Sequence, residues 1–205
     1  MIQSRYQAKI DTLLASGQRK LLGIVGPPGS GKSTLAQQIQ QLYPQQSVVV
    51  PMDGYHLANC ELARLGKAAR KGAEDTFDSA GFAALIQRLK TQPTDETIYA
   101  PEFRRAIEEP IANAIPIQPQ HQLIIVEGNY LLLESGHWAQ LPSLLDETWY
   151  VDVGHTLRES RLIQRHIQFG RSEAAAIEWV QSTDGPNARL IEASKSRADL
   201  LFTWE

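Results

Sequence analysis

The chain has 205 residues, 42% apolar and 21% charged, an ordinary globular balance that can bury its own core and reads as one domain over residues 1–205. Twenty Lys and Arg against 23 Asp and Glu leave a formal charge of −3, which excludes the broad positive field of a general nucleic-acid binder and makes any basic site local. Cys60 is the single cysteine, no stretch has a targeting pattern and no apolar run nears the ~18 residues of a membrane span, so a cytoplasmic chain with no disulfide, nucleic-acid or membrane partner is expected.

Ile2, Tyr6, Ile10 and Leu13 recur at helical steps and predict an N-terminal packing helix that stops near Gly17. Residues 20–25 (KLLGIV) read as the first buried strand, followed by a Gly/Pro loop and a helix over 32–42 that ends before Pro44. Residues 47–50 form the second strand, and Phe82, Leu85, Ile86 and Leu89 mark one face of the next helix. Five prolines between Pro93 and Pro119 then argue against regular structure, except for short apolar pieces at 97–99 and 115–117 that pair as a small hairpin arm over about 95–120. Further strands are expected at 123–126, 148–151 and 200–202, with helices at 156–169 and 173–181. Strands alternating with helices in this way imply an α/β fold with a five-stranded parallel sheet and helices on both faces.

The loop after the first strand, Gly26-Pro27-Pro28-Gly29-Ser30-Gly31-Lys32-Ser33-Thr34, fits G-x-x-x-x-G-K-[ST]. Its glycines let backbone N–H groups turn inward around phosphate oxygens, Lys32 reaches the β- and γ-phosphates, and the Ser33 hydroxyl ligates Mg²⁺. A P-loop NTPase fold that binds a nucleoside triphosphate follows. The four asparagines are followed by Cys, Ala, Tyr and Ala, so the Asn-Lys-x-Asp guanine motif of GTPases is missing and a small kinase is the better reading.

A kinase acting on a hydroxyl needs a proton acceptor and a magnesium ligand. Asp53 lies just beyond the carboxyl end of the second strand, where open α/β sheets bind ligands, although Asp53-Gly54 also suits a plain turn. Glu127 ends another buried strand and is placed to hold Mg²⁺ directly or through water. Arg158, Arg161 and Arg165 recur at steps of three and four, with Arg171 after a hinge at Gly170; they suggest a lid over about 156–182 that neutralises transferring phosphate, or else a solvated basic face. Tyr55 and His56 follow Asp53 and either touch substrate or pack under the loop, and Asp78 or Ser79 is equally suited to capping a helix.

With these motifs in this order, the chain resembles the phosphoribulokinase/uridine kinase/type I pantothenate kinase superfamily. It looks closest to the bacterial nucleoside/nucleotide kinase-like branch, some of whose members are called fructose transport system kinases. The resemblance runs from about residue 20 to 202 and is most specific at Pro51-Met52-Asp53-Gly54-Tyr55-His56, at Arg70-Lys71-Gly72-Ala73 with Thr76-Phe77-Asp78, and at Val126-Glu127-Gly128-Asn129-Tyr130. It implies that Asp53 is the catalytic base, that Glu127 belongs to the magnesium site, and that Phe77 and Asp78 line the acceptor pocket beside Arg70 and Lys71. It also carries over Arg105 from the segment Pro101-Glu102-Phe103-Arg104-Arg105, where uridine kinases have a histidine near the place of Arg105 and where an acidic residue is usual in place of Arg104. Residues 182–187 with Arg189 resemble a segment that approaches adenine. A cationic Arg105 suits a carboxylate, phosphate or polyol better than a neutral base, unless it pairs with Glu108 or Glu109.

The combined expectation is a kinase that uses ATP and Mg²⁺ to phosphorylate a small-molecule hydroxyl acceptor: a nucleoside, a pantothenate-like compound or a sugar. Lys32 and Arg165 would act on the transferring group, with Arg161 and Arg171 on the nucleotide. Rival readings are a nucleoside monophosphate kinase, which needs no base, and a nucleotide-binding regulator without a small-molecule acceptor. A homodimer is left open.

Overall fold

In the computed structural model, which describes residues 2–204, the first helix, α1 (Ser4–Leu14), buries Tyr6 and Ile10 as its spacing requires. β1 (Lys20–Val25) leads through the glycine-rich loop into α2 (Lys32–Leu42), and β2 (Ser47–Pro51) ends in a 3-10 turn at Met52–Tyr55. Two helices, α3 (Asn59–Arg64) and α4 (Ser79–Lys90), precede an antiparallel hairpin made of β3 (Ile98–Arg104) and β4 (Glu109–Ile117). The chain returns to the sheet through β5 (Leu123–Gly128), α5 (Leu141–Leu144) and β6 (Glu147–Asp152). Then come α6 (His155–Gln168), α7 (Glu173–Trp179), a π-helical turn at Val180–Asp184, α8 (Gly185–Glu192) and the last strand, β7 (Leu200–Thr203).

The five-stranded sheet is parallel throughout, in the order β2-β5-β1-β6-β7. Side chains alternate across it, so each strand feeds two cores. Leu21, Val25, Val48, Val50, Ile124 and Val126 face α4, whose Phe82, Ile86 and Leu89 close that layer. Leu22, Ile24, Leu123, Ile125, Trp149 and Val151 face the other way, against Tyr6, Ile10, Leu35 and Ile39 of α1 and α2. Burying each large apolar side chain contributes roughly 1.5–3 kcal/mol. Register brings three strand ends level, with Val25 opposite Gly128 and Pro51 opposite Glu127.

The structure corrects the sequence expectation in the proline-rich stretch. The hairpin is longer than the two apolar pieces and contains Pro101, Pro110 and Pro116 within its strands. Both strands of a two-stranded ribbon are edges, so a proline can turn its missing N–H away from its partner, and the register shifts between Ala100 and Glu102, around Pro101. α3, α5 and α8 were not foreseen, and the helix expected over 173–181 gives way to the π-helical turn at Val180.

The hairpin is held against the 3-10 turn that carries Asp53: a Cβ on Gly54 would lie 2.3 Å from the Pro101 carbonyl oxygen. Gly54→Ala must therefore push arm and turn apart, and a loss of about 1–3 kcal/mol in urea unfolding is expected. Gly154→Ala, where nothing lies within 4 Å, should stay within about 0.5 kcal/mol of the parent.

Candidate active site

The loop from Gly26 to Ser33 wraps the N-terminus of α2 at the carboxyl edge of β1. Gly29 (φ +81°) and Gly31 (φ +92°) use left-handed backbone, and a Cβ on Gly29 would lie 2.8 Å from the Arg158 carbonyl oxygen. The Ser30 N–H and Lys32 Nζ both donate to the Pro27 carbonyl, each at 3.2 Å. Trp204 Nε1 donates to the Ser30 carbonyl at 3.0 Å, so its indole buttresses the loop beside Gly31.

The loop opens onto a cavity of about 1040 Å³. Pro28, Gly29, Gly31, Lys32, Ser33 and Thr34 form its phosphate-loop wall. Glu127 enters from the end of β5, where its Oε2 accepts from Ser33 Oγ at 3.2 Å and its Oε1 lies 3.9 Å from Lys32 Nζ. Both partners are buried, Lys32 at 6% exposure and Glu127 at 8%. Burial raises the Glu127 carboxyl above its ordinary range and lowers the Lys32 ammonium below its own, each effect opposed by the partner's charge. A serine hydroxyl and a carboxylate this close are hard oxygen donors, a set that fits a magnesium ion retaining several waters.

Asp53 enters the same cavity from the turn after β2, and its Oδ2 accepts from Arg105 Nη2 at 3.1 Å. The His56 ring sits between Phe77 and Phe103, with centroids 4.0 and 4.7 Å away. Its Nδ1 is 2.8 Å from the Asp53 carbonyl oxygen. That oxygen can only accept, so Nδ1 carries the proton, and burial holds the imidazole below its usual range, in the neutral form.

Arg161 and Arg165 of α6, with Arg171 beyond it, line the facing wall. Among the described residues none of the three is ion-paired to a carboxylate. Burial, followed by the like charge of Arg105, weakens the hold of Arg165 on its proton. Arg171 lies 4.0 Å over the Trp179 ring, while His166 Nε2 meets Asp184 Oδ2 at 2.8 Å. The π-helical turn that carries Asp184 is a local irregularity of a kind often found at functional sites.

The structure thus gathers the phosphate loop, Asp53, His56, Phe77, Arg105, Glu127, Arg161, Arg165 and Arg171 around one cavity. Gly26 and Ser30 frame the loop from within; Ser30 is buried, and among the described residues its hydroxyl has no partner. Three expected pocket residues fall outside the cavity wall. Asp78 caps α4, its Oδ1 accepting from Gly81 N at 2.8 Å. Arg70 pairs with Asp75 at 2.7 Å. Tyr55 packs edge-on against Phe82, and burial pushes its hydroxyl up to about 12. Arg158 also leaves the face expected of it with Arg161 and Arg165: it is buried beneath Gly29, and among the described residues its Nε and Nη1 have no partner. Asp184 and Asn187, from the 182–187 segment, line the cavity too, while Asn59, Trp179 and Trp204 line it without having been singled out for it. For Trp204, its place directly after the last strand, at the ligand-binding edge, was the available signal.

The sequence profile of the Phosphoribulokinase / Uridine kinase family matches residues 21–204. The chain belongs to this family. A Schizosaccharomyces pombe protein provisionally named a uridine kinase is 36% identical over 201 residues, covering 93% of this chain and 85% of its own. Protein YggC of Escherichia coli, of uncharacterised function, is 32% identical over 191 residues, covering 90% and 77%. A crystal structure from Silicibacter sp. TM1040, provisionally named a fructose transport system kinase, is 40% identical with a TM-score of 0.83 and covers 92% of this chain and 90% of that one. The phosphoribulokinase/uridine kinase fold, a P-loop kinase fold implying ATP binding, therefore accounts for the loop and the parallel sheet. No helix among the described residues is long and apolar enough to cross a membrane.

Lys32 is the largest charge that opposes the burial effect on Glu127. Without it, folded Glu127 would keep its proton to still higher pH than the unfolded chain does, so stability must fall as pH rises through that window. Lys32→Met is expected to abolish most nucleotide affinity and to lose about 3 kcal/mol of stability near pH 8, with much less lost near pH 5. Equal losses at both pH values would show that Glu127 does not depend on this lysine.

Proposed function

We propose that this chain transfers the γ-phosphate of Mg-ATP to an alcohol hydroxyl of a small molecule. The observation that carries the reading is the presence of Asp53 in the same cavity as Lys32, Ser33 and Glu127. A hydroxyl acceptor must lose a proton during transfer, whereas a monophosphate acceptor already presents an anionic oxygen and needs no base.

With the hydroxyl between Asp53 and the γ-phosphorus, its O–H bond breaks toward the Asp53 carboxylate as its oxygen bonds to phosphorus. The bond from phosphorus to the bridging oxygen of ADP breaks, leaving ADP and a phosphate monoester. Lys32 and Arg165 answer the charge on the transferring group, while Arg161 and Arg171 hold the nucleotide. Ser33 and Glu127 would hold magnesium, directly or by way of water, and the ion would supply neutralising charge to the phosphates. α6 and α7 act as a lid that keeps water from the reacting phosphate. Most of the acceleration comes from positioning and electrostatics.

The names of two relatives, uridine kinase and fructose transport system kinase, support an acceptor with free hydroxyls. The partner in this reading is a soluble small molecule in the cytoplasm, with no nucleic acid or membrane involved.

ADP release should be followed with Mg-ATP against pantothenate, uridine, cytidine, fructose, ribose and nucleoside monophosphates, in the parent protein and in Asp53→Asn. One hydroxyl compound is expected to raise turnover, and the variant to lower kcat by about 10²–10⁴-fold with nucleotide affinity retained. Stimulation by a monophosphate that survives loss of Asp53 would favour a monophosphate kinase instead. Stimulation by none of the compounds, with nucleotide binding intact, would favour a regulator.

A further inference from the structure

The carboxylate that would receive the acceptor's proton is engaged in this structure. Arg105, at the end of the hairpin arm, holds Asp53 Oδ2 at 3.1 Å. The two side chains are 41% and 31% exposed. Ion pairs this open to water contribute little and exchange readily. Arg105 is also one of two cations over the Phe103 ring: its Cζ lies 5.8 Å from the centroid and Lys71 Nζ lies 5.1 Å from it.

Lys71 has only neutral hydrogen-bond acceptors. Its ammonium donates to Asn59 Oδ1 at 2.7 Å and to the Glu108 carbonyl, and among the described residues it has no carboxylate at ion-pair distance. An ammonium has three donors, so one remains for a ligand. The nearby Glu109 carboxylate is taken by the Asn59 backbone N–H, at 3.0 and 3.1 Å from its two oxygens. Glu108 and Glu109 both contribute negative charge to Lys71 without touching it. Lys32, Arg161, Arg165 and Arg171 line the same cavity and suffice to answer the charge of a nucleotide, so that Arg105 and Lys71, the two cations beside Phe103, are available to a second ligand.

We propose that the phosphate acceptor carries an anionic group, a carboxylate or a phosphate, taken by Arg105 and Lys71 beside Phe103, and that its arrival draws Arg105 off Asp53. The inference rests on the alcohol-kinase reading and names the acceptor class within it. A neutral alcohol that displaced Arg105 would offer it no counter-charge in return. An anionic oxygen pair offers the guanidinium a charge-assisted, two-pronged contact and gives Lys71 an anionic partner in direct contact. Asp53 Oδ2 is then left to the hydroxyl. Asp53 and the acceptor's anionic group thus compete for one arginine, and an alcohol lacking that group meets a base already occupied.

The test is calorimetric titration of the whole chain, saturated with magnesium and β,γ-imido ATP, with inorganic phosphate and with malonate as probes. One probe anion per chain is expected, with phosphate or malonate the tighter according to which group the acceptor bears. Arg105→Gln should weaken that binding by about tenfold or more, and Lys71→Gln should weaken it less. Asp53→Asn should tighten it, and the gain should vanish in the Asp53→Asn/Arg105→Gln double variant. Retained affinity for the ATP analogue shows that each variant is folded. Absence of saturable anion binding, or a gain from Asp53→Asn that persists without Arg105, would overturn the proposal. So would an Arg105→Gln loss confined to the ATP analogue, which would place Arg105 on the nucleotide. Turnover separates this inference from the reading beneath it: Asp53-dependent phosphorylation of glycerol or ribose as efficient as that of D-glycerate or ribose 5-phosphate keeps the kinase and removes the anionic requirement.

Discussion

Parallel pairing of β1 with β5, and of β5 with β2, ends three strands on one line, and the site depends on that alignment. Because Val25 stands opposite Gly128 and Pro51 opposite Glu127, the phosphate loop, Glu127 and the Asp53 turn emerge within a few residues of one another. A one-residue slip would turn Ile124 and Val126 from one core to the other and carry Glu127 out of the cavity, so the packing that stabilises the sheet also fixes the site. The arm is tied into the same frame at Gly54, where backbone meets backbone too closely for a side chain.

Charge in the cavity is arranged in two ways. At the floor, Lys32 and Glu127 are buried as a pair, and the Ser33 hydroxyl and the Pro27 carbonyl supply the hydrogen bonds that such a pair needs. Among the described residues Arg161, Arg165 and Arg171 have no such partners, and Arg165 is held where burial and Arg105 both work against its charge. The free protein thus holds cations without a carboxylate in direct contact at the places that a polyphosphate would occupy. That charge is local, since the whole chain is slightly acidic.

The phosphate loop and the sheet were legible because their signals are geometric: glycines at fixed spacing, and apolar runs too continuous for one-sided burial. Glu127 and Asp53 were legible as carboxylates at strand ends. The arm was only partly legible, because proline reads as a breaker until it is known that both strands are edges. α8 was hidden by Gly185-Pro186, which reads as an interruption although proline is well tolerated in a first helical turn. Asp78 shows a different limit. An aspartate before a helix can cap it or face a ligand, and only the position of Gly81 N distinguishes the two. The spacing of Arg158, Arg161 and Arg165 marks a shared side of a helix but not where the protein's surface cuts across that side, so Arg158 ends up inside.

The indole of Trp204 reaches the Ser30 carbonyl from 174 residues away, and the Thr203 N–H donates to the Tyr6 hydroxyl at 3.2 Å. The two extremities of the described chain therefore meet behind the phosphate loop, where Tyr6, Trp149 and Phe202 pack as a cluster of three rings. β7 leaves the ribosome after every other strand of the sheet. A nascent chain can already pair β1, β2, β5 and β6 while its phosphate loop still lacks the indole that braces it. Completion of this nucleotide site therefore waits on β7, the strand that follows the other four of the sheet in chain order.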